Sequence, residues 1–100
     1  MTFKFPCDMT EAEQEAYHAK RFAEARERGA KRFGLSLDEV LFYNHGICYD
    51  RIVVTTKRAA SKVRKAVAGE TVNGGYFDGT PLGGISEATI HGVKGFNVTC

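Results

Sequence analysis

Apolar and polar positions recur along this chain with two different periods, and the change of period divides it. Between Thr10 and Gly34, the apolar residues Ala12, Ala16, Ala19, Phe22, Ala23, Ala30 and Phe33 fall on one side when residues advance by about 100° each. Glu13, Lys20, Arg21, Glu24, Glu27, Arg28 and Lys31 fall on the other. This predicts a long amphipathic helix. Thr10-Glu11-Ala12-Glu13 has the form of a capping box, in which the hydroxyl and the carboxylate each serve an orphan amide. Gly34 supplies the stop, because a helix commonly ends in a left-handed residue that glycine adopts cheaply. Glu24 with Arg28, and Glu27 with Lys31, have the favourable i, i+4 order for ion pairs. The alanine-rich stripe predicts close approach to a neighbouring element.

Ser36-Leu37-Asp38-Glu39 repeats the capping-box pattern, and Leu37, Val40 and Leu41 give an apolar side, which predicts a second, shorter helix ending near Asn44-His45-Gly46. Leu41-Phe42-Tyr43 reads equally as the last turn of that helix or as a short extended piece. Ile52-Val53-Val54 is a β-branched run and predicts a buried strand. Thr56 then caps a third helix over 57–68, with Ala59, Ala60, Val63, Ala66 and Val67 on its core side and Gly69 as its stop. Beyond Gly69 the helical period is lost. Asn73-Gly74-Gly75, Asp78-Gly79-Thr80-Pro81 and Gly83-Gly84 are turn signals. The remainder predicts a hairpin with strands over 85–90 and 96–100 and a turn at His91-Gly92-Val93-Lys94-Gly95. The expected fold is α+β: two N-terminal helices, then strand, helix and strands, with helices packed on a small, mainly antiparallel sheet.

One hundred residues, 43% hydrophobic and 26% charged, make one globular domain across 1–100. Its parts are the long helix (1–34), the helix–strand–basic-helix segment (35–69), and the glycine-rich loop with the C-terminal hairpin (70–100). No apolar run approaches the roughly 18 residues that would span a bilayer. Met1-Thr2-Phe3-Lys4-Phe5-Pro6 lacks the apolar segment of a secretory signal, so the chain reads as a whole reading frame with no export address and a cytoplasmic location. Cys7, Cys48 and Cys100 are an odd, sparse set that fits free thiols in a reducing compartment.

Net charge is only +2, but its distribution is uneven. From 51 to 69 there is no acidic residue, while Arg51, Lys57, Arg58, Lys62, Arg64 and Lys65 all fall there. The five within the third helix occupy the side opposite the alanines and valines. Like charges on one surface repel, and an anion relieves the repulsion: a phosphate backbone or an acidic protein surface. Thr55 and Thr56 add donors at the positive end of the helix dipole. A solvated basic face with no partner would show the same pattern. Tyr76 and Phe77 sit between glycine hinges, where exposed aromatics would anchor in a protein groove or on an unstacked base; the competing reading folds them into the core. The loop is neither a phosphate-binding loop followed by Gly-Lys-Ser/Thr nor a dinucleotide fingerprint opening a helix.

Asn44-His45-Gly46-Ile47-Cys48-Tyr49-Asp50 gathers an imidazole, a thiol and a carboxylate. His45 and Cys48 are one loose pair that a metal site would have to complete from His18, His91, Cys7 or Cys100, and they also have the residue types of a thiol nucleophile and its base. The favoured reading is a turn with Cys48 packed inside, with no metal, no cofactor and no catalytic residue assigned. No serine triad order or paired-carboxylate cleft stands out.

In its size, its short reading frame and its lack of enzyme motifs, the chain resembles small accessory proteins of phages and other mobile elements, the group that includes anti-CRISPR and anti-restriction proteins. The resemblance implies a non-enzymatic inhibitor acting in the host cytoplasm on a defence complex of the CRISPR nucleoprotein type, with no membrane partner. It carries over no functional residue. Many such inhibitors imitate DNA with acidic surfaces, whereas the strongest patch here is basic. Arg51, Lys57, Arg58, Lys62, Arg64, Lys65, Tyr76 and Phe77 are the expected partner-binding residues. The alternatives are a small nucleic-acid-binding protein that lays the basic helix on phosphates, and a small thiol enzyme.

Overall fold

The computed structural model describes residues 10–100 and gives an α+β fold of two helices and one four-stranded antiparallel sheet. Helix α1 runs over Glu11–Phe33, as its capping signals require. The Thr10 hydroxyl accepts from the Glu13 amide at 3.2 Å, and Gly34 closes the other end in the left-handed region at φ 64. The buried side of α1 keeps Phe22, Ala30 and Phe33 of the expected stripe and loses its other alanines. Gly29, Ala30 and Phe33 are buried, with Phe22, Ala25 and Arg26 half-buried, whereas Ala12, Ala16, Ala19 and Ala23 are not among its buried residues. Close approach comes at Gly29 instead. A Cβ there would lie 2.8–2.9 Å from the Tyr43 side chain, nearer than carbon atoms pack. Among the described residues neither Glu24–Arg28 nor Glu27–Lys31 forms an ion pair.

The predicted second helix is a single 3-10 turn, Leu37–Glu39, which leads straight into strand β1, Val40–Asn44. Ser36 directs its hydroxyl to the Glu39 carboxylate rather than to a backbone amide, so the local capping signal does not propagate a helix. The β-branched and aromatic run 40–43 gains instead by pairing with strand β2, Arg51–Val54, in the register Tyr43↔Ile52 and Asn44↔Arg51. Helix α2 follows over Lys57–Ala66, with the Thr56 hydroxyl accepting from the Ala59 amide at 3.2 Å. Strands β3, Ile85–Ile90, and β4, Val93–Thr99, make the C-terminal hairpin. Its turn is shorter than the sequence suggests. His91 and Gly92 alone form it, at φ 49 and 80, the two positive values that match the right-handed twist of a tight hairpin.

The sheet order is β1-β2-β4-β3. Val40, Tyr43, Ile52, Val54, Val98 and Cys100 meet Ala30 and Phe33 of α1 and Ala59, Ala60 and Val63 of α2 in one core. Because side chains alternate along a strand, both helices therefore cover the same face of the sheet. Val53 and Asn97 pair across the other face, and Arg51 lies there too, its Nε donating to Asn97 Oδ1 at 3.2 Å. Among the described residues, no helix is long and apolar enough to cross a membrane.

Candidate binding surfaces

Helix α2 is built from two incompatible faces. Ala59, Ala60 and Val63 are at most 2% exposed, while Lys57, Arg58, Lys62, Arg64 and Lys65 all face solvent. The small core residues let the helix lie close to β2 and β4, which fixes the direction of the cationic side. Among the described residues none of the five forms an ion pair with a carboxylate. Two of them nevertheless have work inside the molecule. Lys62 Nζ donates to the Gly34 carbonyl at 2.8 Å, at the negative end of the α1 dipole. The Arg64 stem runs beside Gly83, where an added Cβ would come within 3.1 Å of its Cγ. Lys57, Arg58 and Lys65 keep their charge wholly for solvent. Arg58, Lys62 and Lys65 also line an open groove with Leu35 and Glu39. The Thr56 hydroxyl already caps α2, and the Thr55 amide donates to the Glu39 carbonyl. Arg51, grouped with these cations by its place in the sequence, projects from the face of the sheet that the helices leave uncovered.

The glycine-rich segment is a pinned loop with an apolar tip. Thr71 bridges Pro81, the Val72 amide donates to the Thr80 carbonyl at 2.8 Å, and the Gly79 amide returns to Val72 at 2.9 Å. Asp78 accepts from the Gly74 amide at 2.6 Å, and buried Val72 anchors the base. Tyr76 and Phe77 stand out of this frame at 96% and 55% exposure, edge to face with ring centroids 5.1 Å apart. Large aromatics held outside a core by a hydrogen-bonded loop leave apolar area for another molecule to cover. Ile47, fully exposed, is a member of the same region that the sequence pattern does not single out. Its neighbour Cys48 places Sγ against Gly75, the residue before Tyr76. The one available signal is an isoleucine in a turn, where no core contact requires one.

The Ile47 loop is held by a polar cluster that sequence reasoning also misses. Asp50 is 7% exposed, and its Oδ2 accepts from Arg32 Nη1 at 2.7 Å and from the Tyr43 hydroxyl. Its Oδ1 faces His45 Nδ1 at 2.9 Å and accepts from the Gly46 amide at 3.2 Å. Arg32 also reaches the Tyr43 hydroxyl at 3.0 Å and the Cys100 carbonyl at 3.2 Å. Burial alone would raise the Asp50 pKa, but the hydrogen bonds from Tyr43, His45 and Gly46 outweigh it and hold the carboxyl below its ordinary value. Burial, with the hydrogen bond to Asp50, pushes Tyr43 up. Burial also pushes the Cys100 thiol up to about 11, so it stays neutral and inert near pH 7.

Of the residues considered for a metal or thiol site, His45 is engaged by Asp50, Cys48 faces the glycine loop, and no hydrogen bond joins the two. His91 stacks edge-on against Phe22. Cys7 lies outside the described residues. Among the described residues no group of three histidine, cysteine or acidic side chains is placed to hold a metal ion. Compared with known proteins, the chain matches no family model, no curated protein and no solved structure.

Proposed function

We propose that this chain is a non-enzymatic binding protein that docks on a larger assembly, with Lys57, Arg58 and Lys65 steering the encounter and Tyr76, Phe77 and Ile47 supplying the apolar anchor. The observation that carries this reading is that a hydrogen-bonded loop holds two aromatics outside the core, and unneutralised cations on α2 support it. Charge on a rim sets association rate and orientation, while a desolvated aromatic sets residence time. The resemblance to accessory proteins of mobile elements points to a host defence nucleoprotein of the CRISPR type, and the basic surface points to capture of an acidic patch rather than mimicry of DNA. Phosphate backbone is the runner-up occupant of α2. The engagement of Lys62 by Gly34 interrupts the row of free cations and favours a protein patch over a continuous row of phosphates.

The test is affinity purification of the tagged chain from cells carrying an active defence complex, with mass spectrometry of what is retained. The complex should be recovered, and its target cleavage should fall when the chain is added. Reversing Lys57, Arg58 and Lys65 to Glu should slow association and reduce its salt dependence. Tyr76→Ser with Phe77→Ser should chiefly speed dissociation, by on the order of tenfold or more, the loss of one hot-spot anchor. Recovery of no stable protein partner overturns the reading. A steep negative salt slope with mixed-sequence DNA, abolished by the α2 reversals, would move it to nucleic acid.

A further inference from the structure

A second cationic surface lies away from α2. Along α1, His18, Arg21, Phe22, Ala25, Arg28 and Arg32 form one stripe at helical spacing, and together with Phe42, Tyr43, Asn44 and His45 they line an open groove of about 920 Å³ between the helix and the edge strand β1. No aspartate or glutamate is among the lining residues. From Arg21 to Arg28 the helix rises roughly 10 Å, at about 1.5 Å per residue. The cations are therefore strung out in a line rather than gathered at a point, which fits a linear polyanion better than a single phosphate. The floor between them is aromatic. Phe22 and Phe42 are half-buried with ring centroids 6.0 Å apart and planes tilted by 45°. Arg28 forms no ion pair or hydrogen bond among the described residues, and Arg21 is held only by the Tyr17 hydroxyl and ring. At the closed end Arg32 is neutralised by Asp50 and held by Tyr43, so Arg21 and Arg28 are the free cations of the groove.

We infer that the groove between α1 and β1 binds a short stretch of single-stranded nucleic acid, with Arg21 and Arg28 on phosphates and the Phe22–Phe42 pair under an unstacked base. Alternating cations and π-faces along an extended track are what single strands require, since every base has a face to stack and every linkage a charge to neutralise. A duplex hides its base faces and would leave the aromatic floor unused. An acidic peptide would use the arginines but not the rings. This surface uses different residues from the one assigned to α2 and the aromatic loop, so either assignment can fail while the other stands.

The experiment is fluorescence anisotropy with the full chain and labelled mixed-sequence RNA and DNA strands of about eight nucleotides, across a salt series, with unlabelled duplex and polyaspartate as competitors. The single strands should bind, and neither competitor should displace them at equal charge. Arg21→Gln with Arg28→Gln should weaken binding by roughly tenfold or more and make the log–log salt slope shallower by roughly 1.4, two phosphates' worth for a single strand. Phe22→Leu, which keeps the apolar packing, should cost about fivefold or more with the slope unchanged. The α2 reversal of Lys57, Arg58 and Lys65 should leave the affinity within about threefold, because charge acting from a separate surface is largely screened at moderate salt. Circular dichroism confirms that each variant is folded. Absence of binding at low salt, equal displacement by duplex or polyaspartate, or loss of binding in the α2 variant but not in the α1 variant would each overturn the assignment.

Discussion

Two regions of this molecule hold arginine and lysine in opposite ways. At the meeting of α1, β1 and β2, Arg32 is fastened by Tyr43, Asp50 and the Cys100 carbonyl, and each oxygen of the Asp50 carboxylate is used. On α2, Lys57, Arg58 and Lys65 have no partner among the described residues. The first arrangement ties the end of one helix, the loop carrying Ile47 and the end of β4 into a single unit, so its charge contributes to the fold. The second contributes little: Lys57 and Arg58 sit at the positive end of the α2 dipole, where they are slightly costly, and Lys65 at the negative end offsets part of that. Sequence position does not distinguish the two kinds of cation; partners do.

The sharpest way to break this comparison is Asp50→Ala. It strands the Arg32 guanidinium, the Tyr43 hydroxyl and the Gly46 amide, and should lower unfolding stability by about 3 kcal/mol in urea titrations. Part of Arg32 remains solvated, which keeps the loss below that of a fully buried pair. A change within about 0.5 kcal/mol, the range of an ordinary surface substitution, would show that the cluster is ornamental. The same region should carry the pH dependence. Asp50 titrates below its ordinary 3.8 in the fold, so the unfolded chain binds the proton first. Its contribution is therefore complete above pH 3.8 and fades as pH falls through the lower folded value. Cys100 has the opposite sign: with a folded value of about 11 against 9.0, its contribution is complete below pH 9.0 and is lost as pH rises through about 11. Denaturation midpoints across both ranges check this, and Asp50→Asn should flatten the acid limb alone. The smallest effect separates cations within α2. Lys62→Met should cost about 0.5–1 kcal/mol through the Gly34 carbonyl, whereas Lys65→Met, which removes only a favourable charge from the last turn of α2, should cost no more than about 0.3 kcal/mol.

How much of this was legible in the sequence depended on how local each signal was. Both ends of α1 and the start of α2 were written in Thr10, Gly34 and Thr56, whose capping chemistry acts within a turn. Strand β1 was not, because Val40–Asn44 is extended only by virtue of β2 across from it, and Ser36 imitates a cap without serving as one. The Asp50 cluster was wholly opaque. Arg32 and Cys100 are 68 residues apart, and nothing short of the fold brings them together. Charge density along the chain marks the α2 cations, yet it groups Arg51 with them. The alternation of Arg51, Ile52, Val53 and Val54 already put Arg51 on the side opposite Ile52, and period two was the better guide.

The bond from Lys62 to the Gly34 carbonyl gives occupancy of one helix a route to the other. A polyanion that recruits this ammonium uncaps α1 at the end nearest Arg32, and linkage then requires that whatever steadies α1 strengthens the hold of Lys62 on Gly34 and weakens its availability outward. The two helices thus compete for one proton donor, and ligands on their separate faces would oppose each other through it.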